Sequence, residues 1–600
     1  MVLLVVGEGA GYDGFGHIHV FIHPPIPVMA NLKPNRPGTV AFSKAIQIGA
    51  ILATLAGLVY LTNRDFWNTA IKRIRGNTAM EMNSVSAADS TDKMAMANRQ
   101  VRSEAKIGIN IGGIADWATQ WPFVDLFKTS REWIPQREGA DWGKGEPLQL
   151  TPEGWVASLA PGQFAETIMM IDTPHYPSGK YTLLYEGEGK IVLRNAEIAS
   201  ESPGRMIVDV KADGSGVFLQ IRETNPSNPI RNIRFIMPGF EKTYQTQPFH
   251  PLFLERLSKF QALRFMDWGG TNNSKVVNWA DRTTPSSARQ SNNGVALEYM
   301  IQLANTLKID PWFTIPAKAS DDYVRQFAAM VRDRVDPSLT IYIEYSNEVW
   351  NTIFDQFGYA LEQGKARNLG AGDEYLGVLR FYSERSVEVF KIVREVFGAN
   401  ADRRIIRVLS GQAVNPWTGE QILSWKDAYK QADAYAIAPY FDGADLDGDG
   451  NSDLNDPKAA DKVLSMTPDQ AINNILQEIP TEIKSIFDKN YAMATQKFGL
   501  PLYAYEGGPH LTAYQFPEDK IEPITNLFAE VNRHPRMREV YRQYLNQWKQ
   551  SGGGLFNQFV DVAKPSKWGF WGAMEYQNQD PKQAPKYQGL LDFIDANPPR

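Results

Sequence analysis

The sequence contains no cysteine. Disulfides, thiolate metal sites and a cysteine nucleophile are therefore excluded together. Export is not, because a core of barrel size does not depend on disulfides. Basic excess is also lacking: 62 Lys and Arg stand against 68 Asp and Glu, for a formal net charge of -6. The tightest basic group is Lys72, Arg73 and Arg75. A polyanion partner needs a clustered basic surface, so nucleic acid is not expected. Nor is an organic cofactor. Gly9, Gly11 and Gly14 satisfy GxGxxG, but the FGHIHVFIHPPIPV that follows is broken by prolines. It cannot form the helix whose amino terminus would hold a pyrophosphate. His17, His19 and His23 in the same stretch are read as a chance cluster.

What the chain does have is length and apolar content, 600 residues at 43% hydrophobic, enough for a large core and more than one domain. Residues 45–62, AIQIGAILATLAGLVYLT, carry no charge and are about as long as the shortest helices that cross a ~30 Å bilayer core. We read a transmembrane anchor there, with a signal-peptide core as the alternative. Basic residues flank the run on both sides, so charge leaves its orientation open. The enzyme-like remainder places the carboxyl-terminal part outside the cytoplasm, in the periplasm or at the cell surface. Residues 1–28 differ in kind from the rest, and translation is expected to start at Met29. The stretch 76–106 is polar and small, a linker.

From residue 106 a unit recurs: a short apolar strand, a loop, then an amphipathic helix. Strands are expected at 106–114, 262–268, 310–317, 341–347, 404–411, 432–440, 501–507 and 553–560. Helical periodicity separates them, as at 295–308, 321–335 and 384–398. Eight strands alternating with helices predict an α/β fold closed as a (β/α)8 TIM barrel. An open doubly wound sheet is the alternative, but no phosphate-binding turn follows the first strand. Between strands one and two lie β-like stretches punctuated by PSG, GEG and ADGSG, an all-β, sandwich-like insertion that binds glycan or covers a barrel face. The expected organisation is an N-terminal segment (1–44), the anchor (45–62), a linker (63–105), a barrel in two pieces (106–145 and 239–600) and the insertion (146–238).

Strand four ends IYIEYSNEVW. Side chains alternate between faces, so Tyr342, Glu344, Ser346 and Glu348 share one side and Ile341, Ile343 and Tyr345 the other. The apolar set faces the helices. Glu348 then points inward at the carboxyl end of its strand, where barrel enzymes place their chemistry. The same alternation puts Leu502, Ala504 and Glu506 on one face of strand seven. Two glutamates on opposed strands suit glycosidic cleavage, which needs a proton donor for the leaving oxygen and a carboxylate at the oxocarbenium-like centre.

SNEVW on strand four with YEGG on strand seven resembles the clan A glycoside hydrolases, over residues 106–145 and 248–595. The likeness implies a retaining enzyme with Glu348 as acid/base and Glu506 as nucleophile, and Asn347 on the sugar hydroxyl beside the reacting carbon. It also implies Arg264 holding the nucleophile ionised and Tyr440 donating a hydrogen bond to it, although the His-x-Tyr common in the clan is absent here. For Arg264 the alternative is a partner to Glu344. Trp117, Trp268, Trp350, Trp568 and Trp571 fall just past strand ends and either stack on pyranose faces or pack in the core. Asp116 and Asp267 either accept sugar hydroxyls or cap helices. The expected partners are a polysaccharide or oligosaccharide and, through the anchor, a membrane. A non-catalytic, membrane-anchored glycan-binding or scaffold protein is the alternative.

A second signal is DLDGDGNSDLND. Asp445, Asp447, Asp449, Gly450, Asn451, Asp453 and Asp456 stand at positions 1, 3, 5, 6, 7, 9 and 12 of an EF-hand-like loop. Asp at position 12 and Ser at position 8 depart from the sensor pattern. A structural calcium is expected there, with a solvated acidic loop as the alternative.

Overall fold

A computed structural model describes residues 104–291 and 293–598. The expected anchor, the stretch before it, and the linker up to residue 103 lie outside the described residues. Among the described residues no helix is long and apolar enough to cross a membrane.

The eight expected strands all form, each shorter than its apolar run. They are β1 (Ile107–Asn110), β2 (Ala262–Arg264), β3 (Asp310–Ile315), β4 (Ile341–Tyr345), β5 (Ile405–Ser410), β6 (Ala434–Ile437), β7 (Leu502–Ala504) and β8 (Phe556–Gln558). Each pairs in parallel with the next, and β8 closes on β1 through Ile107 and Phe556. A closed parallel barrel leaves no edge. The helices Asp321–Arg334 and Glu374–Phe397 start on caps, Ser320 and Asp373, whose side chains accept from Tyr323 N and Leu376 N. They bury apolar faces, among them Val324, Phe327 and Val331, against the strands.

The barrel interior is unusually polar for such a core. Ile341, Ile343 and Tyr345 do turn outward to the helices, and Glu344 turns inward, where Trp312 Nε1 donates to it at 2.9 Å. Trp312 and Tyr342 stack below, ring centroids 5.3 Å apart and 12° from parallel. Gly108 lets β1 pass here, because a Cβ would overlap Asn557 Oδ1 and Ala262 Cβ.

The insertion is a sandwich of two four-stranded antiparallel sheets with its own core of Trp133, Trp155, Tyr181, Leu183, Val208, Leu219 and Phe235. It begins at Ile134 rather than at residue 146: Ile134–Arg137 pairs with Gln163–Glu166 as an edge strand. Four residues containing Pro135 carry no alternation to read, and an edge is where a strand tolerates proline. The sandwich adjoins the loops after β1 and β8. Ile171 N donates to Asp116 O at 2.9 Å, and His175 stacks on Tyr576 at 3.6 Å.

Candidate active site

Two departures from the pleat aim the glutamates. β4 ends at Tyr345, and Ser346 and Glu348 then adopt φ of 60° and 40°. The inward position of Glu348 is therefore produced by a left-handed turn and not by continued alternation; such a conformation in a non-glycine residue is costly. On β7 the expected faces are reversed. Tyr503 lies 6.2 Å from inward-facing Tyr342, and the ring of Tyr505 lies 5.0 Å from the Arg264 guanidinium. Leu502 and Ala504 thus face out. Glu506 still reaches the interior, because the strand stops at Ala504 and bends.

Arg264, fully buried on β2, organises the floor of the mouth. Its Nη1 donates to Glu506 Oε1 at 2.8 Å and to Asn110 Oδ1 at 3.1 Å. Its Nε and Nη2 donate to Glu344 Oε2 at 3.1 and 2.9 Å, and Nη2 also reaches Asn347 Oδ1 at 2.9 Å. Arg264 thus contacts Glu344 and Glu506 alike. Burial opposes its charge, but the carboxylates of Glu344 and Glu506 more than offset it and hold the guanidinium protonated.

Tyr440 Oη donates to Glu506 Oε2 at 2.9 Å, so both carboxylate oxygens are occupied. Burial pushes the Glu506 carboxyl up, to about 7; Glu348 pushes the same way, while Arg264 and Tyr440 oppose. Glu348, partly exposed, accepts from Tyr505 Oη at 2.8 Å and from Asn351 Nδ2 at 2.9 Å. Asn347 is turned away from open space: besides Arg264 it meets Asn272, to whose Oδ1 it donates at 3.1 Å.

Trp571 stands at the mouth, its ring 5.6 Å from Tyr440 and 5.4 Å from His510. Trp568 packs on Tyr514 at 5.2 Å, and Trp117 is 59% exposed. Trp268 and Trp350 are core residues. Trp268 is fully buried against Phe123, Phe249 and Phe253 and donates to Gly112 O; Trp350 packs edge-on to Tyr382. Asp116 is buried and ion-paired with Arg131 at 2.7 Å. Asp267 caps no helix. It lies partly exposed, its carboxyl raised to about 6 by burial against the opposing charge of Arg264.

Tyr505, Asn351, Asn110 and His510 were not anticipated. Asn351 follows Glu348 by one turn, a spacing visible in the sequence. Tyr505 was hidden by the reversed face of β7. His510 arrives from a loop with no periodicity.

The acidic loop does not wrap as an EF-hand. Asp445, Asp447 and Asp453 come together, with one carboxylate oxygen from each within 4.8 Å of the others. Asp449 instead accepts from Asn451 N and Nδ2, and Asp456 caps the turn Pro457–Ala459 by accepting from Lys458 N.

No family model and no curated protein sequence matches this chain. Among solved structures it is similar to a Bacteroidetes-affiliated GH5 cellulase, at 12% identity and a TM-score of 0.33, over 58% of this chain and 84% of the other. A variant β-glucosidase from Trichoderma harzianum matches at 11% and 0.31 over 58% and 87%. A Bacteroides ovatus GH5 xyloglucanase matches at 9% and 0.30 over 72% and 96%. Likeness this remote carries no argument about chemistry, which rests on the contacts above.

Proposed function

We propose that the chain is a retaining glycoside hydrolase acting on O-glycosidic bonds of a polysaccharide or oligosaccharide outside the cytoplasm. The observation that carries the reading is the unequal surroundings of two glutamates. Glu506 takes hydrogen bonds from a guanidinium and a phenol, whereas Glu348 takes its two from the neutral groups of Tyr505 and Asn351. Each glutamate takes one bond from a phenol, so the difference is the Arg264 cation, which favours negative charge on Glu506 against the burial that raises its carboxyl. That makes Glu506 the nucleophile and Glu348 the proton carrier.

Glu506 attacks the anomeric carbon as the bond to the leaving oxygen breaks and Glu348 passes its proton to that oxygen. Water then attacks the glycosyl-enzyme, giving its proton to Glu348 and releasing Glu506. Trp571 offers a ring face at the mouth and Asp267 an acceptor for sugar hydroxyls. Asn347 is assigned the hydroxyl next to the reacting carbon, once substrate displaces Asn272. The uncharged run at 45–62 supports a membrane anchor, and the enzyme-like remainder supports placing the barrel outside.

The test is release of sugar from a panel of aryl glycosides and polysaccharides by the whole protein, with Glu506→Gln as the control. Glycan binding without turnover on any substrate would instead make it a non-catalytic surface protein.

A further inference from the structure

We propose that the cleft between the sandwich and the segment after β8 is a second glycan-binding site, which holds a distal stretch of a polysaccharide while the mouth cleaves it. The cleavage in that statement rests on the glycoside hydrolase reading above. The cleft encloses about 660 Å³, a volume in the range of ligand sites, and it lies at a junction of two packed units, where such sites tend to form. Three segments supply most of its wall. Thr119 comes from the loop after β1, Asp172 and His175 from the sandwich turn between Gln163–Ile171 and Gly179–Glu186, and Lys564, Glu575 and Tyr576 from the segment after β8.

The chemistry of this wall suits a sugar. Tyr576 and His175 are half-buried rings stacked 3.6 Å apart and 3° from parallel, and flat ring surface packs against the C–H side of a pyranose. Arg533, also in the wall, meets Glu575 through a fork, with Nε donating to Oε1 at 2.7 Å and Nη2 to Oε2 at 2.9 Å. That planar pair keeps further donors and lone pairs for hydroxyls. Glu575 and Lys564 act on His175 with opposite sign, and burial, the larger influence, holds its pKa below the ordinary value. The imidazole is therefore neutral at neutral pH and carries one donor and one acceptor. Behind the cleft, a recess shares Arg533, Glu575 and Gln579 with it and adds Asn532. Asn532 is 4% exposed and its Oδ1 has no hydrogen-bond partner. A buried acceptor left unmet is costly, and a hydroxyl is a donor of the kind it lacks.

The cleft is braced and tied to the mouth. Thr119 Oγ1 donates to Glu575 O at 2.7 Å, Gln577 N to Thr119 O at 3.1 Å, and Lys564 Nζ to Asp172 O at 3.2 Å. A wall already ordered loses little entropy when a ligand enters. Val560 N donates to Trp571 O at 2.9 Å and Ala563 N to Met574 O at 3.0 Å, so residues 560–563 and 571–574 form a hairpin. Trp571 stands on its second arm, and Tyr576 follows five residues later, at most ~18 Å from it along the backbone. A glycan of several sugars spans both places, whereas a simple aryl glycoside occupies only the mouth.

The test is affinity electrophoresis of the whole Glu506→Gln protein, which leaves the polysaccharide intact, in native gels cast with a β-glucan, a xylan, a mannan or a polygalacturonate. At least one of these should retard it. Adding Tyr576→Ala should weaken the retarding affinity by about tenfold, the loss of one well-packed aromatic contact. Because Tyr576 also packs on the sandwich through His175, the exposed Gln583→Ala, which changes no core contact, is read beside it and should weaken retardation in the same gel. The assay reads binding alone, so retardation without hydrolysis by the parent would strike the proposed activity and leave this site standing. Retardation by none of the four polysaccharides would overturn the site, as would both cleft variants migrating like their Glu506→Gln background.

Discussion

Arg264 Nη1 stands 2.8 Å from Glu506 Oε1, while the opposite edge of the same guanidinium is locked on Glu344 Oε2 at 3.1 and 2.9 Å. Glu344 is locked in turn by Trp312 Nε1 and by Ser410 Oγ at 2.8 Å. The cation beside Glu506 is therefore fixed by β2, β3, β4 and β5 together. It cannot follow the carboxylate if that moves, which is how a preorganised charge differs from a mobile counter-ion.

Arg264→Lys should cost both stability and turnover. An ammonium cannot hold Glu344 through a fork and still reach Glu506 and Asn347. Breaking a buried pair on one side costs about 3 to 5 kcal/mol, and kcat should fall by at least about a hundredfold. Urea unfolding and steady-state kinetics check the two separately; a stable variant of unchanged kcat would remove Arg264 from the chemistry.

Tyr440→Phe should move the acid limb of kcat/KM toward higher pH. The Tyr440 hydrogen bond lowers the Glu506 carboxyl and opposes the burial that raises it to about 7. Without that bond the carboxyl rises further, and the attacking anion is lost at a pH where the parent still has it. Because Glu506 and Glu348 interact, the limb reports the pair. A limb that stays in place while kcat falls would mean that Tyr440 only positions the carboxylate.

Glu506→Gln should stabilise the fold at high pH and not at low pH. The folded carboxyl lies at about 7, above its ordinary value of 4.5. Its favourable protonated state is kept below 4.5 and lost as pH rises through about 7, so the parent is destabilised on the alkaline side. A neutral amide escapes that loss, of order 1–3 kcal/mol. Thermal unfolding at pH 4 and pH 8 should show a gain in Tm only at the higher value.

The barrel was legible because each strand is an apolar run bounded by turns, and SNEVW and YEGG mark their ends. What was not legible came from backbone conformation at those ends. Alternation places Glu506 on the wrong face of β7, since Tyr503 and Tyr505 are the inward pair, and only the bend after Ala504 returns the carboxylate to the mouth. Trp268 and Trp571 look alike in sequence, each just past a strand. Their fates differ because Phe123, Phe249 and Phe253 arrive from distant segments to bury the first. In the acidic loop, spacing identified seven candidate positions but not which three carboxylates converge, and Asp445 and Asp447 accept from loop amides just as Asp449 and Asp456 do.

Glu348→Gln should abolish hydrolysis of substrates with poor leaving groups and spare activated aryl glycosides, since only the former require protonation of the leaving oxygen. Tyr505 and Asn351 would still hold the amide in place, so loss of fold is not expected. A general acid contributes about 10²- to 10⁴-fold, which is the gap to look for between the two substrate classes. Equal losses on both would assign Glu348 another role.

The stereochemical outcome tests the whole assignment. β4 and β7 stand three strands apart around the closed barrel, Tyr505 of the β7 end reaches Glu348 at 2.8 Å, and the next residue is Glu506. Glu348 acts electrostatically on the Glu506 carboxyl, and the proposed two-step mechanism requires the retaining spacing of about 5 to 5.5 Å rather than the inverting spacing of about 6.5 to 9.5 Å that admits a water. The first anomer released, followed by proton NMR in early turnover, should keep the configuration of the substrate. Glu506→Gly should then be inactive on its own and regain turnover of activated aryl glycosides with azide, which enters the vacated side of the ring and gives a glycosyl azide of inverted configuration. An inverted initial product from the parent would rule out Glu506 as nucleophile, and with it the two-step mechanism.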